Sequence, residues 1–290
     1  MKALFSPRKK VTRRKYGLLS QHSLSFILLT GVCYASVANA NEPVDSFMLS
    51  PEQLFGATVI SVSKTSEKLM DAPAAVYVLT NEDITRSGAT SIPEALRLVP
   101  GVQVARTHAG GWAVSVRGFN GGLTNKLLVL MDGREVYDQL FSGVYWDVQD
   151  TVLEDIDRIE VIRGPGASLW GANAVNGVIN IITKKAQDTQ GGLVSALTGN
   201  QDRGIVSGRY SGKTDGNIYW RAYAKSLTRD EERTLSGSGA QDQQQAYRSG
   251  FRADWQNDKD DFTVQGDVVR NDDGQYRISP LLALNIEEIH

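Results

Sequence analysis

The segment DIDRIEVIRGPGASLWGANAVNGVINIITK, residues 155–184, joins two apolar runs through a stretch rich in glycine and asparagine. Residues 159–162 (IEVI) and 178–182 (VINII) are rich in isoleucine and valine, which is typical of buried β-strands. Glycine and asparagine enter tight turns and positive φ more readily than other residues. The segment therefore predicts two strands connected by a turn system that contains Gly164, Gly166, Gly171, Asn173, Asn176 and Gly177.

Two nucleotide-binding motifs use similar glycine spacings, and the segment departs from both. The dinucleotide fingerprint GxGxxG would need a third glycine where Leu169 stands. A phosphate loop would need a lysine after Gly171, where Ala172 stands. The segment also returns to a β-rich run instead of opening a long helix. Phosphate binding is therefore the weaker interpretation, and a glycine-rich turn system is the stronger one.

The N-terminus has the pattern of a secretory signal peptide. Residues 1–15 contain seven basic residues and no acidic one, and a mainly apolar stretch follows at residues 24–34. Ala38-Asn39-Ala40 then gives a small-x-small cleavage pattern, so we expect residues 1–40 to be removed after Ala40. The apolar stretch is shorter than the roughly 20 residues of a membrane-spanning helix. Val32 before Cys33 disfavours a lipoprotein site.

Removal of the signal changes the charge of the chain. The whole sequence has 31 basic and 33 acidic residues, and loss of seven basic residues leaves 24 against 33, a net charge of −9. This balance argues against a nucleic-acid partner. The only cysteine leaves with the signal, and His108 and His290 are the remaining histidines. We therefore expect no disulfide, no metal site, no cofactor and no histidine-based catalytic triad.

A secreted enzyme is the second functional class that the signal peptide allows. Asp132 and Asp147 are candidate acidic groups, but no nucleophile–base arrangement accompanies them in the sequence. The sequence therefore predicts no catalytic residues.

The C-terminal third alternates polar and apolar residues with a period of two. In residues 218–225, Ile218, Trp220, Ala222 and Ala224 share one face, and Tyr219, Arg221, Tyr223 and Lys225 share the other. Residues 247–256 and 262–270 repeat the pattern. Strands of about ten residues with an apolar face are typical of transmembrane β-barrels. A soluble antiparallel sandwich is the alternative, since its strands also alternate.

Turn signals divide this region into short and long connections. Tight turns are expected at residues 200–202, 215–216 and 257–260, and a long polar loop at residues 229–245. Long loops of outer-membrane barrels face outside and short turns face the periplasm. The pattern therefore predicts that the chain enters its first barrel strand from the periplasmic side.

Residues 54–190 are predicted to form a compact α/β domain. Strands are expected at residues 76–80, 102–105, 113–117, 127–131 and 159–163. One short helix is expected at residues 81–88, capped by Thr80 or Asn81 and ended by Gly88. A second is expected after Ser91, with Pro93 in its first turn and Pro100-Gly101 at its end. Asp132-Gly133 is a hairpin-turn signal.

Five stretches of this domain resemble, in the family's order, the plug domain of TonB-dependent outer-membrane receptors. They are ATVISVSKTSEKLMDAPAAVYVLTNEDI (57–84), IPEALRLVPGVQVAR (92–106), VSVRGF (114–119), LLVLMDGREV (127–136) and IDRIEVIRGPGASLWGANAVNGVINIITK (156–184). The resemblance implies an α/β plug domain followed by the start of an antiparallel transmembrane β-barrel. It also implies that the glycine-rich segment ends the plug and lets its backbone approach the barrel wall.

The resemblance implies a domain organisation as well. A signal peptide at residues 1–40 precedes a periplasmic extension at 41–56, a plug at 57–185 and the first barrel strands at 191–290. A complete receptor has about 22 strands, and the last 100 residues are long enough for roughly five strands of this length. We therefore expect the chain to be a truncated form of such a receptor.

Three sets of site residues follow from the resemblance. The TonB box, which pairs with the inner-membrane protein TonB by β-augmentation, falls on Ala57, Thr58, Val59, Ile60, Ser61, Val62 and Ser63, where an ordinary first plug strand is the alternative. Arg117 and Arg163 match two plug arginines that pair with barrel glutamates expected beyond residue 290, with solvated surface charges as the alternative. Ligand contacts are expected in outward loops, at Arg106, His108, Trp112, Asn120, Tyr137, Phe141, Tyr145 and Trp146.

The function that the resemblance implies is active import across the Gram-negative outer membrane. The expected ligand is a ferric siderophore or another metal complex, and the expected partners are TonB, the ligand and outer-membrane lipid. A non-transporting binding or signalling receptor and a non-functional fragment are the alternatives. A signalling receptor would need a further domain before the TonB box, where only residues 41–56 lie.

Overall fold

The computed structural model describes residues 58–59, 67–68, 75–118, 120–122, 126–138, 140, 142–166, 170–171, 173–256, 261–278 and 286–289. The predicted signal peptide and most of the predicted TonB box lie outside these residues. The described residues up to 190 form an α/β unit, here called the plug. Residues 191–273 form an antiparallel sheet, here called the wall. Among the described residues, no helix is long and apolar enough to cross a membrane.

The plug is built from short strands and two short helices. Its elements are β1 (Thr58–Val59), β2 (Glu67–Lys68), β3 (Val76–Thr80), α1 (Asn81–Ser87), α2 (Ile92–Leu96), β4 (Val102–Arg106), β5 (Trp112–Val116), β6 (Leu127–Met131), β7 (Arg134–Glu135), β8 (Ile156–Arg163) and β9 (Gly177–Thr183). Short 3-10 helices lie at Leu153–Asp155 and Ala186–Thr189.

Strands β3, β8, β9, β6 and β7 form one sheet in that order. Strands β9 and β6 are parallel, and the other neighbouring pairs are antiparallel. Strands β4 and β5 form a separate antiparallel pair, and so do β1 and β2. The two apolar runs of the segment 155–184 are thus neighbouring strands, β8 and β9, at the centre of the main sheet.

The first predicted helix is confirmed together with both of its caps. Thr80 accepts a hydrogen bond from the Asp83 backbone N–H, and the Asp83 carboxylate accepts one from the Thr80 backbone N–H. This reciprocal capping box satisfies two backbone donors at the N-terminus of α1. Gly88 ends the helix at φ 69°, in the left-handed region that glycine enters without strain.

The second helix is shorter than the sequence indicates. Helix α2 ends at Leu96, before Pro100, and the chain continues through tight turns in which Leu98 and Val99 donate to the carbonyls of Ala95 and Leu96. Ser91 occupies the N-cap position, but its hydroxyl makes no capping hydrogen bond. Val99 is buried with Ile92, Ala95 and Leu96, at the spacing of one helical face, so the tight turns keep the apolar face of the predicted helix in the core.

The predicted hairpin turn at Asp132-Gly133 is present between β6 and β7. Met131 pairs directly with Arg134, so the turn has two residues. Both of them have positive φ, 49° for Asp132 and 79° for Gly133. This is the backbone of a type I′ turn, which favours the Asp-Gly dipeptide.

The main sheet of the plug is buried on both faces. One face packs against α1, α2 and the β4–β5 pair, and it includes Leu79, Ile159, Val161, Ile179 and Ile181. The other face is a smaller cluster of Leu128, Leu130, Ile162, Ala174 and Val178, with Trp170 packed against it. Burial on both faces explains why β6, β8 and β9 read as continuous apolar runs.

The glycine-rich segment folds over the smaller face of the sheet. Gly166 donates to the Ala174 carbonyl, and Trp170 donates to the Gly166 carbonyl, which closes the segment into a compact loop. Ala174 and Trp170 then cover the apolar cluster. Strand β9 begins at Gly177, after the described part of this loop, as the sequence predicts.

The glycines of this loop approach the plug itself. A Cβ on Gly177 would lie 2.5 Å from the Ile162 carbonyl oxygen, and a Cβ on Gly166 would lie 3.1 Å from the Val178 side chain. At these two positions the close approach is between β8, β9 and their own connection, and approach of this segment to the barrel wall stays a prediction.

A side chain at Gly177 is expected to destabilise the plug. In Gly177→Ala the methyl group clashes with a backbone carbonyl that belongs to the β8–β9 ladder, so strands must shift, at a cost of about 1–3 kcal/mol. Urea unfolding measures the change. Gly121→Ala is the matched control, because a Cβ there meets nothing within 4 Å. Equal stability of the two variants would contradict the clash.

The wall consists of β10 (Gly191–Leu197), β11 (Asp202–Lys213), β12 (Ile218–Arg229), β13 (Gln244–Gln256) and β14 (Asp261–Asp273), in sequence order and antiparallel throughout. Two further strands, β15 (Gln275–Ile278) and β16 (Ile286–Ile289), pair separately. The wall connections are short at residues 198–201 and 214–217 and long at residues 230–243. We call the end with the long loop the outer end.

Burial in the wall is reversed relative to a soluble sheet. Its apolar side chains face away from the plug and are exposed, including Val194, Val206, Tyr210, Phe251 and Val268. Its polar face lies against the plug and buries Arg221, Lys225, Arg229, Arg248 and Arg252. An outward apolar face and a polar inner face are the pattern of a lipid-facing barrel wall.

Candidate functional site: the interface between plug and wall

The centre of the interface is a plug carboxylate between two wall guanidinium groups. Asp155 is 1% exposed and lies in the 3-10 helix that precedes β8. Its Oδ1 is 2.9 Å from Arg209 Nη1, and its Oδ2 is 3.5 Å from Arg221 Nε. Neither contact has the alignment of a hydrogen bond, so the attraction is mainly ionic.

Burial raises the pKa of the Asp155 carboxyl, and the attraction of Arg221, Arg209 and Lys184 offsets only part of that rise. Arg221 is held by the plug backbone as well, because its Nη1 donates to the Lys184 carbonyl at 3.1 Å. The site therefore combines the desolvated Asp155 carboxylate with Arg221, a cation that has a further oxygen partner in the plug.

A second contact links the plug segment before β8 to the neighbouring residues of the wall. Lys225 Nζ lies 2.7 Å from Asp150 Oδ2 and donates to the Thr151 carbonyl at 2.9 Å. Arg248 donates to the Val148 carbonyl and pairs with Asp267 of the wall. Three residues within positions 148–151 of the plug thus contact two adjacent wall strands.

A third contact involves the hairpin turn between β6 and β7. Asp132 accepts hydrogen bonds from the backbone N–H and the hydroxyl of Thr183, both at 2.8 Å. Arg252 Nη1 donates to the same Thr183 hydroxyl oxygen at 3.1 Å and lies 3.6 Å from Asp132 Oδ2. Arg252 also pairs with Asp254 of its own strand at 2.9 Å. The turn is therefore fixed to the wall through shared oxygen acceptors.

The end of the interface opposite the outer end is fixed by the chain that leaves the plug. Ala186 N–H donates to Asp254 Oδ2 at 2.6 Å, and Lys185 Nζ lies 3.4 Å from Asp261. These contacts orient the 3-10 helix Ala186–Thr189 immediately before β10. Contacts with later wall strands therefore fix the point at which β10 begins.

The outer end of the interface is a polar network around residues 106–110. Arg229 of the wall pairs with Asp202 at 2.5 Å and donates to the Ala109 carbonyl at 3.0 Å. Ala109 N–H donates in turn to Asp242 of the long loop at 2.8 Å. The hydroxyl of Thr90 donates to Asp202 at 2.9 Å. The plug loop is thus tied to both the wall and the long loop.

Two predicted ligand residues belong to this outer network. Arg106 lies 2.7 Å from Glu94 and 3.4 Å from Glu232 of the long loop, and its guanidinium carbon lies 4.4 Å from the centre of the Trp112 ring. His108 Nε2 lies 3.0 Å from Asp273 Oδ2 at the end of β14. Both side chains connect plug to wall in this structure.

The acidic surroundings of His108 set its charge state. Burial lowers the pKa of the imidazole, but the hydrogen bond to Asp273 and the charges of Asp273, Asp147 and Asp242 outweigh it and raise the pKa above its ordinary value. Burial also raises the pKa of the Asp147 carboxyl, and the charge of Asp273 adds to that rise.

The His108–Asp273 contact is expected to make the stability of the protein depend on pH. Because the folded pKa of His108 is raised, the contribution of the pair is complete below the unfolded pKa of about 6.5 and is lost as pH rises through the folded pKa. His108→Gln should cost up to about 1 kcal/mol below that pH and progressively less above it. Unfolding free energies at several pH values measure the difference. A difference that does not change with pH would contradict the ion pair.

The remaining predicted ligand residues differ in exposure. Trp112 and Trp146 are core residues, packed with the apolar face of the main sheet. Asn120 is exposed, and Tyr137 and Tyr145 are partly exposed. Phe141 lies outside the described residues. The aromatic residues of these loops therefore divide into two that pack the core and two that reach the surface.

The predicted plug arginines lie at the ends of strands. Arg117 follows β5, is exposed and has φ 58°. Arg163 ends β8 and donates to the Pro100 carbonyl at 3.2 Å. Neither makes an ion pair with another described residue. Their expected glutamate partners beyond residue 290 stay a prediction.

Part of the predicted TonB box is described. Thr58 and Val59 form β1 and pair with Lys68 and Glu67 of β2, and Val59 is 0% exposed. The other five residues of the predicted box, Ala57, Ile60, Ser61, Val62 and Ser63, lie outside the described residues. The described pair is therefore held as a strand within the plug.

The sequence interpretation missed the contacts that hold plug and wall together. It paired plug arginines with distant glutamates, whereas the described interface pairs plug aspartates with wall cations. The signal was present as basic residues four apart on the polar face of predicted strands, at Arg221, Lys225 and Arg229 and at Arg248 and Arg252. Among the described residues, no group of histidine, cysteine, aspartate and glutamate has a metal-binding arrangement.

Comparison with known proteins identifies this architecture. Residues 68–178 match the model of the TonB-dependent receptor plug domain. The vitamin B12 transporter BtuB of Vibrio cholerae is 34% identical over 178 residues, which cover 60% of this chain and 28% of the relative. The iron-regulated outer membrane virulence protein of Vibrio cholerae is 30% identical over 194 residues, which cover 62% of this chain and 29% of the relative. The name of the first relative describes a transporter.

Solved structures agree on the fold. The pyoverdine outer membrane receptor FpvA of Pseudomonas aeruginosa superposes with a TM-score of 0.60 at 19% identity, covering 75% of this chain and 30% of that one. The ferric yersiniabactin uptake receptor FyuA of Yersinia pestis gives a TM-score of 0.51 at 17% identity, covering 70% and 32%. This chain thus spans less than a third of the length of these proteins. Residues 68–178 are a TonB-dependent receptor plug domain, and the chain resembles such receptors of the Gram-negative outer membrane over their plug and first barrel strands.

Proposed function

We propose that the receptor to which this chain belongs imports a scarce nutrient across the outer membrane, with a ferric siderophore or another metal complex as ligand. The observation that supports import is the polar character of the plug–wall interface. Plug and wall are joined by ion pairs and hydrogen bonds at Asp132, Asp150 and Asp155, which water and other ions can replace. An interface of this kind lets the plug move without exposing an apolar core.

Uptake of radiolabelled ferric siderophores by cells that produce the full-length receptor tests this function. Import is expected in cells with TonB and is expected to be lost in otherwise identical cells without TonB. Binding of ligand at the cell surface should remain in both. Surface binding with no TonB-dependent accumulation would instead indicate a receptor that does not transport.

The partner segment for TonB is proposed at residues 57–63. Val59 is buried and paired with Glu67, so β1 must leave β2 before it can add to a strand of TonB. Val59→Pro removes a backbone donor and fixes φ, which opposes strand pairing. Uptake should fall while surface binding of ligand persists. Lys68→Ala is the control, because it changes a side chain of β2 and preserves the backbone donor. Val76→Pro is not a suitable control, because β3 belongs to the main sheet and a proline there would disrupt the plug itself. Unchanged uptake in Val59→Pro would place the box elsewhere.

The proposed ligand face is the outer end of the plug. Arg106, His108, Asn120, Tyr137 and Tyr145 are the candidates whose side chains have exposed surface. Arg117 and Arg163 are proposed to pair with glutamates of later wall strands, which would cover the two guanidinium groups. The plug is proposed to extend over residues 57–185 and the barrel strands to start at residue 191.

A further inference from the structure

On the inner face of the wall, two cross-strand pairs each consist of two cations. Arg221 pairs in register with Arg252, and Lys225 pairs with Arg248, on strands β12 and β13. All four side chains are buried against the plug. Like charges directly opposite each other destabilise a sheet. We call these four residues, together with Arg209 on β11, the cation strip.

The counter-charges of the cation strip come from two sources. Among the described residues, the wall supplies two carboxylates, Asp254 and Asp267. The plug supplies three, Asp132, Asp150 and Asp155. With the plug in place, five cations face five carboxylates. Without the plug carboxylates, five cations face two, and the strip has a net positive charge.

We propose that the cation strip selects anionic ligands during transport. This inference rests on the proposed import function. When the plug rearranges, its three carboxylates leave the strip, and an anionic ligand that passes along the wall takes their place. A passage lined by one sign of charge concentrates ligands of the opposite sign. The ligand class is therefore an anionic metal chelate, such as a ferric tris-catecholate, in preference to a neutral one, such as a ferric tris-hydroxamate.

The position of the plug carboxylates supports their departure as a group. Asp150 and Asp155 lie in one plug segment, five residues apart, on either side of Thr151, whose carbonyl also contacts Lys225. Asp132 is joined to this region through β9, because it accepts two hydrogen bonds from Thr183. A displacement of the sheet that includes β8 and β9 therefore removes all three counter-charges together.

A charge swap changes the charge of the open passage while it keeps the ion pair between plug and wall in the resting state. Lys225→Asp combined with Asp150→Lys keeps an ion pair between plug and wall but places an anion on the wall. Lys225→Gln combined with Asp150→Asn keeps a hydrogen-bonding pair and only neutralises the wall position, which guards against a swap that fails to fold. The control is Arg203→Asp combined with Asp230→Arg, since both residues belong to the exposed rim of the wall and their exchange leaves its charge unchanged.

Ion selectivity of the full-length receptor in planar lipid bilayers tests the strip without any knowledge of the ligand. Urea is added to release the plug, and the reversal potential is measured in a KCl gradient. The charge swap should shift the reversal potential towards K⁺ selectivity, and the neutral pair should give a smaller shift in the same direction. The control should match the wild type. Identical reversal potentials for all four proteins would overturn the proposal.

Uptake with two chelates of known charge tests the ligand class. Cells with TonB should import a ferric tris-catecholate faster than a ferric tris-hydroxamate, and the charge swap should slow import of the anion without reducing its surface binding. Equal import of the anion by wild type and swap overturns the proposal. If neither chelate is imported, a ferric siderophore is excluded as the ligand in favour of another metal complex, and the reversal potential decides whether the strip favours anions.

Discussion

Replacement of Asp155 with alanine is expected to lower the free energy of unfolding by about 3–5 kcal/mol, because it leaves two buried guanidinium groups without their carboxylate. Asp155 is 1% exposed and lies within ion-pair distance of Arg209 and Arg221. The carboxylate itself is desolvated, which raises its pKa and limits what the intact contact contributes. The loss comes instead from the uncompensated cations, which cannot reach water while the plug is in place.

The matched control for this prediction is Asp157→Ala. Asp157 lies two residues further along the chain, in β8, is partly exposed and pairs with no described residue other than Arg158, so its loss should cost about 0–1 kcal/mol. Urea unfolding of the full-length receptor measures both variants, and entry of a large hydrophilic antibiotic into cells reports a loosened plug. If Asp155→Ala unfolds at the same urea concentration as Asp157→Ala, the interface is held by contacts other than this one.

The local structure of the plug could be predicted from the sequence where short-range chemistry decides it. Thr80 and Gly88 delimit α1 because a hydroxyl and a residue tolerant of positive φ satisfy the two ends of a helix. Asp132-Gly133 forms the predicted turn for a similar reason. Helix α2 ends earlier than predicted, because after Leu96 the backbone continues in turns with i→i+3 hydrogen bonds, a change of backbone geometry that leaves the apolar spacing unchanged.

Tertiary interactions were harder to predict, and the wall shows why. Alternation along β12 and β13 separated a polar face from an apolar one, and the structure confirms those faces. Alternation does not reveal which plug residue meets each polar side chain. The pairing of Lys225 with Asp150 spans 75 residues of sequence, and it depends on how the plug sits against the wall. The predicted arginine contacts had the same limitation.

Arginine at the lipid-facing centre of the wall is expected to reduce assembly in the outer membrane. Val206 lies near the middle of β11, and its side chain is 52% exposed on the face opposite the plug. If that face meets hydrocarbon, Val206→Arg places a charge near the bilayer midplane at a cost of about 2–4 kcal/mol. The amount of heat-modifiable, protease-resistant full-length receptor in outer membranes measures the effect.

The same substitution at the end of a strand provides the control. Ile218 is the first residue of β12 and is 38% exposed on the same outward face, where the membrane interface is expected. A charge near the interface costs only about 0–1 kcal/mol, because arginine reaches the headgroups and water there. Ile218→Arg should therefore assemble almost normally. A soluble antiparallel sandwich would tolerate arginine at both exposed positions, so equal yields of the two variants would favour the sandwich over a lipid-facing wall.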